Sequence, residues 1–116
     1  MGHMARIMIA EPYPEVRDLL ALIVKRLGHT PLLRNRDEPA DADLLLVEPA
    51  AHGALELAHA LRAERPGLPI LVVSFLPQPA TWRALLPAGY VLKPFTVAQL
   101  EAAVESALAA VQTSAA

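Results

Sequence analysis

Apolar positions along the chain fall into runs of two lengths, and their alternation predicts the architecture. Four short runs are continuous rather than alternating: Arg6-Ile7-Met8-Ile9-Ala10, Leu44-Leu45-Leu46-Val47, Ile70-Leu71-Val72-Val73 and Tyr90-Val91-Leu92. Strands covered on both faces of a parallel sheet read this way. Thr30-Pro31-Leu32-Leu33-Arg34 is a weaker strand, whose proline suits an edge or a strand start.

Between the short runs the apolar spacing turns helical. After Pro14, which fits a first helical turn, come Val16, Leu19, Leu20, Ile23 and Leu27, with Gly28 at the stop. A second pattern runs from about Ala54 to Arg65, with Leu57, Ala58 and Leu61 on one face and Pro66-Gly67 at its end. The last begins at Thr96, where Gln99 three residues on completes a capping box. Its stripe is Leu100, Ala103, Val104, Ala107, Leu108 and Val111. Pro77, Pro79 and Pro87 restrict any helix between them to about Ala80–Leu86, and Trp82 in that stretch reads as a cover for the core. Strands alternating with helices imply a parallel α/β sheet with right-handed crossovers.

At 116 residues the chain fits one domain, expected over residues 5–112. Residues 1–3 read as a cloning scar and 113–116 as a disordered tail. A hydrophobic fraction of 54% against 19% charged residues argues for a packed core. The net charge of −2 gives no electrostatic reason to expect nucleic acid or a membrane surface as partner. The absence of cysteine excludes disulfides, thiolate metal sites and thiol catalysis. No signal peptide or spanning apolar run is visible, so a soluble, cytoplasmic protein is expected.

The chemistry-bearing residues follow the strands. Glu11 ends the first, Glu48 the third, Ser74 the fourth and Lys93 the fifth. Open parallel sheets bind ligands outside the carboxyl ends of their strands. Two carboxylates, a hydroxyl and an ammonium should therefore converge at one crevice.

Two stretches carry a family resemblance: Arg6 to Arg17, and Gly89-Tyr90-Val91-Leu92-Lys93-Pro94-Phe95-Thr96. A Lys-Pro pair leaving a hydrophobic strand before a capped helix is the more specific of the two. On these residues the chain resembles the receiver domain of two-component response regulators over nearly its whole length. The resemblance implies a flavodoxin-like, doubly wound five-stranded parallel sheet in the order 2-1-3-4-5. It makes Lys93 the phosphoryl-contacting lysine, joined to Pro94 by a cis peptide. Ser74 becomes the hydroxyl switch, Tyr90 the rotating aromatic, Glu48 the equivalent of the phosphoacceptor, and Glu11-Pro12 the equivalent of the acidic pair.

The departures fall on the chemistry. Proline at position 12 carries no carboxylate, so one metal ligand of the family is lost. Glu48 in place of aspartate carries its carboxylate about one ångström further out, and a displacement of that size can cost roughly 100-fold in rate. Mg²⁺ demands near-octahedral geometry at about 2.0–2.1 Å, so its binding is expected to be weak or absent and no metal site is assigned. With the metal gone, Lys93 is free to pair with Glu48 and, less directly, with Glu11. The connection from the second strand to the third, counted from Asp37 to Asp43, is too short for a crossover helix, which needs at least about 10–12 residues. The family's second helix should be missing and its fourth short.

His52, Glu56 and His59 are spaced to share a helix face as zinc ligands, but a solvated face explains them better. Arg34 and Arg36 opposite Asp37 and Glu38 mark a solvated edge, and Arg17 belongs to the solvated charge set of the first helix. There is no G-x-S-x-G elbow around Ser74 and no Gly-rich phosphate loop. The expected function is a non-enzymatic, phosphorylation-independent pseudo-receiver in two-component signalling. Its expected partners are proteins, a sensor kinase or another signalling protein, with a homodimer as one form. Such contacts are expected on the face of the fifth strand and last helix, around Tyr90, Ala107 and Val111, ahead of the apolar surface near Leu32, Leu33, Leu57 and Leu61 that loss of the second helix should uncover. Two alternatives stay open: a phosphorylation-competent receiver using Glu48 with Mg²⁺, and a small-ligand sensor using the crevice.

Overall fold

The computed structural model describes residues 4–115, with side chains described as far as Ala110. The expected scar, residues 1–3, and Ala116 lie outside the described residues, as does the side chain of Val111. The strands are β1 (Arg6–Ala10), β2 (Thr30–Leu33), β3 (Leu44–Val47), β4 (Ile70–Ser74) and β5 (Gly89–Leu92). The helices are α1 (Pro14–Arg26), α2 (Ala54–Glu64), α3 (Ala80–Arg83) and α4 (Val97–Ala115), with a 3₁₀ turn at Pro39–Asp41. All strand pairs are parallel, in the order β2-β1-β3-β4-β5. The parallel α/β sheet is the one the pattern predicts, and its flavodoxin-like order is the one the receiver resemblance implies.

Because successive side chains of a strand face opposite ways, each continuous apolar run serves two layers. Ile7, Ile9, Leu44, Leu46, Leu71 and Val73 pack against Leu20, Ile23 and Val24 of α1 and Leu100, Val104 and Ala107 of α4. Met8, Ala10, Leu45, Val47, Ile70 and Val72 face Ala54, Ala58 and Leu61 of α2, together with Leu85 and Trp82. Trp82 is 4% exposed, a core residue as its position suggests.

The helix ends follow local chemistry. At the end of α1, Gly28 takes φ +87°, while its N–H reaches Lys25 O and that of His29 reaches Val24 O. This closes a Schellman motif, which glycine enters without a Cβ clash. At the start of α4, Thr96 Oγ1 accepts from the N–H of Gln99 at 3.1 Å and Gln99 Oε1 from that of Thr96 at 2.8 Å. The predicted capping box is therefore formed. The backbone of α4 is helical to Ala115. The alanine-rich end of the chain contains neither glycine nor proline to stop the helix.

From β2 to β3 the chain crosses in residues 34–43, with one 3₁₀ turn and no helix. Asp37 fixes its entry: Oδ2 accepts from the N–H of Leu33 at 2.7 Å, and the Asp37 N–H returns to Leu33 O at 2.8 Å. Asp43 fixes its exit, with Oδ2 accepting from the Arg6 N–H at 2.8 Å. The uncovered apolar surface expected beside the missing helix is not there. Leu32 and Leu61 are buried and Leu33 and Leu57 half-buried, because the crossover packs inward and places Ala42 in that core layer.

Arg62 joins α2 to the segment before β5. Its guanidinium donates to the carbonyls of Leu68, at 2.6 Å, and of Leu85. Burial pushes its pKa below the usual arginine value. Arg62→Met keeps the stem but strips these carbonyls, and that of Leu86 at 3.4 Å, of their donor. Urea denaturation should show a loss of about 1–3 kcal/mol, whereas Arg83→Met on the exposed side of α3 should change stability by less than about 0.5 kcal/mol.

Candidate functional site

Parallel register brings the candidate residues to one edge. Ala10 pairs with Val47, so Glu11 and Glu48 leave the sheet side by side, and the Glu48 N–H donates to Ala10 O at 2.9 Å. Ser74 pairs with Leu92, so Lys93 emerges one residue beyond it, with its N–H donating to Ser74 O at 2.8 Å. The Lys93–Pro94 peptide is cis.

The Lys93 ammonium bridges the two acids. Nζ donates to Glu11 Oε1 at 2.6 Å and to Glu48 Oε1 at 3.1 Å. The sequence pattern makes Glu48 the nearer partner; in the structure it is Glu11, although Glu48 follows the central strand, β3. Each carboxylate spends its other oxygen on the backbone two residues ahead, Glu11 Oε2 on the Tyr13 N–H at 3.2 Å and Glu48 Oε2 on the Ala50 N–H at 3.1 Å. Side-chain exposure is 0% for Glu11 and 3% for both Glu48 and Lys93. Two carboxylates and one ammonium leave a formal charge of −1, softened by two amide dipoles.

An aromatic pair roofs the ammonium. Tyr13 and Phe75 meet edge to face with ring centroids 6.5 Å apart, and Nζ lies 5.5 Å and 4.9 Å from their respective centroids. Both distances suit cation–π attraction. Sequence reasoning passed over this pair. The available signal was position: in a chain with 4% aromatic residues, Tyr13 stands two residues after Glu11 and Phe75 directly after Ser74.

Ser74 and Tyr90 reach the same neighbourhood but join a different contact. Ser74 Oγ accepts from the Leu76 N–H at 3.3 Å, and the Tyr90 hydroxyl donates to Leu76 O. Both side chains therefore hold the β4–α3 loop. His52, Glu56 and His59 form no metal cluster, and no group of three metal-ligating side chains occurs among the described residues. No helix among them is long and apolar enough to cross a membrane.

Solved structures with this arrangement are numerous. NtrX from Brucella abortus superposes with a TM-score of 0.80 at 20% identity, over 97% of this chain and 28% of NtrX. A CheY-like response regulator receiver domain protein from Methanospirillum hungatei gives 0.80 at 15% identity, over 97% of this chain and 99% of that one. The fold is that of receiver domains. The chemotaxis protein CheY4 of Vibrio cholerae agrees, with a TM-score of 0.77 at 16% identity over 91% of this chain and 100% of its own. The chain spans only 28% of the length of NtrX. No protein-family model and no curated protein matches the sequence.

Receiver folds imply a Mg²⁺ site at this edge, and the residues present do not fit one. Mg²⁺ needs carboxylate oxygens and water around it at about 2.0–2.1 Å. Here Lys93 holds one oxygen of each acid, backbone amides hold the others, and Pro12 supplies no third carboxylate. The acids are also shut from solvent. Lys93→Met keeps the side-chain length and leaves two buried carboxylates without their counter-ion. The expected loss is on the order of 3–5 kcal/mol in urea denaturation at pH 7. An unchanged midpoint at pH 7 would mean that water reaches the site and solvates the acids.

Proposed function

We propose that this chain is a receiver-like module of two-component signalling that works by protein contact and takes no phosphoryl group. The single observation that carries this reading is the closed ion pair: Lys93 bridges Glu11 and Glu48 beneath Tyr13 and Phe75. Acyl-phosphate chemistry needs an accessible carboxylate oxygen and a metal to offset the charge of the incoming phosphate. Glu48 offers neither, since one oxygen faces the ammonium and the other the Ala50 amide. Lys93, the phosphoryl-contacting lysine by resemblance, here occupies the space between the acids in the place of the metal.

The same reading gives the module one resting state. In receivers the hydroxyl and the aromatic respond to the phosphoryl group; in this chain Ser74 and Tyr90 are both committed to Leu76. Their positions support a fixed β4–α3 loop that partners meet ready-formed. A sensor kinase or another signalling protein is the proposed class of partner, in the cytoplasm, with no catalytic step by the module itself.

Intact mass after incubation with acetyl phosphate and Mg²⁺ tests this. The protein and its Glu48→Asp variant should both gain no phosphoryl group, because Pro12 still denies the metal a ligand. Pro12→Asp combined with Glu48→Asp should gain one. A phosphoryl adduct on Glu48 of the unaltered protein would sink the reading.

A further inference from the structure

Beside the closed ion pair, on the β2 side of β1, lies an open cleft of about 560 Å³. Its polar rim is Arg17, Arg34, Asn35 and His52, and its apolar wall includes Ile9, Ala10, Pro12 and Ala51. We propose that this cleft binds a small phosphomonoester, with the phosphate between Arg17 and Arg34 and the organic body against the apolar wall.

Charge is the first ground. Arg17 and Arg34 are the cations on the wall, and Glu11 is its only acidic member. Glu11 is engaged by Lys93 and the Tyr13 N–H, so the acids of that cluster reach the cleft only as its residual formal charge of −1. Asp18 pairs with Arg17 at 3.8 Å from Nε but is 77% exposed, where solvent screens the pair. Asp37 is engaged by the Leu33 N–H and by Arg36. The two arginines of the wall are thus offset only in part, and no acid of the wall forms a hydrogen bond to either. A phosphomonoester carries about −1.5 to −2 at pH 7, which matches two arginines better than a carboxylate does.

The second ground is the state of the arginines. Arg17 Nε is the one buried side-chain polar atom among the described residues that has no hydrogen-bond partner. Buried polar atoms are almost always satisfied, so an exception points to a missing partner. Turning Arg17 toward a ligand breaks no hydrogen bond at Nε. Arg34 is anchored instead: it donates to the carbonyls of His52 and Gly53, which fix its guanidinium on the rim and leave further N–H groups to donate. One arginine is preorganised, and the other is held only by its exposed ion pair with Asp18.

Size is the third ground. The volume lies within the roughly 300–1,000 Å³ range of small-molecule sites, more than a bare phosphate fills. Room exists because residues 34–43 cross without a helix. Arg34 and Asn35 are the first residues of that crossover, and sequence pattern alone leaves them looking like a solvated edge.

Phenyl phosphate, inorganic phosphate and benzoate serve as probes, titrated without Mg²⁺ into ¹⁵N-labelled protein at low salt. Phenyl phosphate should bind saturably, with amide shifts centred on Arg17, Arg34, Asn35 and His52, and about tenfold more tightly than either other probe. Arg17→Gln should weaken it by about tenfold or more, the worth of a charge-assisted hydrogen bond. Arg36→Gln, which removes an equal charge from a neighbouring residue off the cleft wall, should leave affinity unchanged. The proposal is overturned by the absence of saturable binding, by equal affinity for inorganic phosphate, by an equal loss in both variants, or by shifts centred on Lys93 and Phe75. This binding is non-covalent and does not involve Glu48 as an acceptor, so it stands or fails separately from the phosphorylation reading.

Discussion

An ammonium group delivered by β5 into the carboxyl edge of a buried sheet has to be neutralised where it sits. Glu11 and Glu48 do this from β1 and β3, so one ion-paired cluster reaches across the sheet from β1 to β5. The position of each partner follows from register: Ala10 beside Val47 sets the two acids together, and Ser74 beside Leu92 aims Lys93 at them. The loops then conform to the pair. Tyr13 and Ala50 turn their amides back onto the acids, and Phe75 folds across the ammonium. A buried ion pair is seldom a net source of stability, because desolvation offsets most of the attraction. Its effect here is to specify one closed arrangement of four strand ends.

That closure separates the fold from the chemistry associated with it. Strand order fixes the place of the crevice, and the residues at the strand ends decide its use. Proline at position 12 offers no carboxylate there, and the Glu48 carboxylate reaches both an ammonium and a backbone amide. The charge of the two acids is met from within the chain, by Lys93. Accessible space lies instead toward β2, where the short crossover leaves two arginines at a cleft.

The strands and long helices were legible in the sequence because each carries a strong periodic signal. The capping box at Thr96 and the stop at Gly28 were readable for the same reason: each depends on residues within a few positions. The convergence of Glu11, Glu48 and Lys93 followed from strand order alone. What escaped was set by side-chain packing between distant segments. Nothing local says that Lys93 prefers Glu11 to Glu48, or that Tyr13 and Phe75 meet. Arg17 and Arg34, seventeen positions apart, read separately as surface charge and share a wall only once β1 and β2 pair. The missing helix was legible from length, but its consequence was not. A short crossover was expected to bare Leu32 and Leu61, and it instead tucks Ala42 into the core beside them.

The placement of Trp82 has a practical consequence. It is the only tryptophan in the chain and lies in the layer beneath α2 and α3, on the opposite face of the sheet from α1 and α4. Indole emission, which shifts with the polarity of its surroundings, is therefore a reporter for one half of the molecule. If the layer beneath α1 and α4 loosened while the other held, emission would stay native-like as far-ultraviolet circular dichroism fell. The agreement or divergence of these two signals during unfolding measures how tightly the sheet couples its two faces.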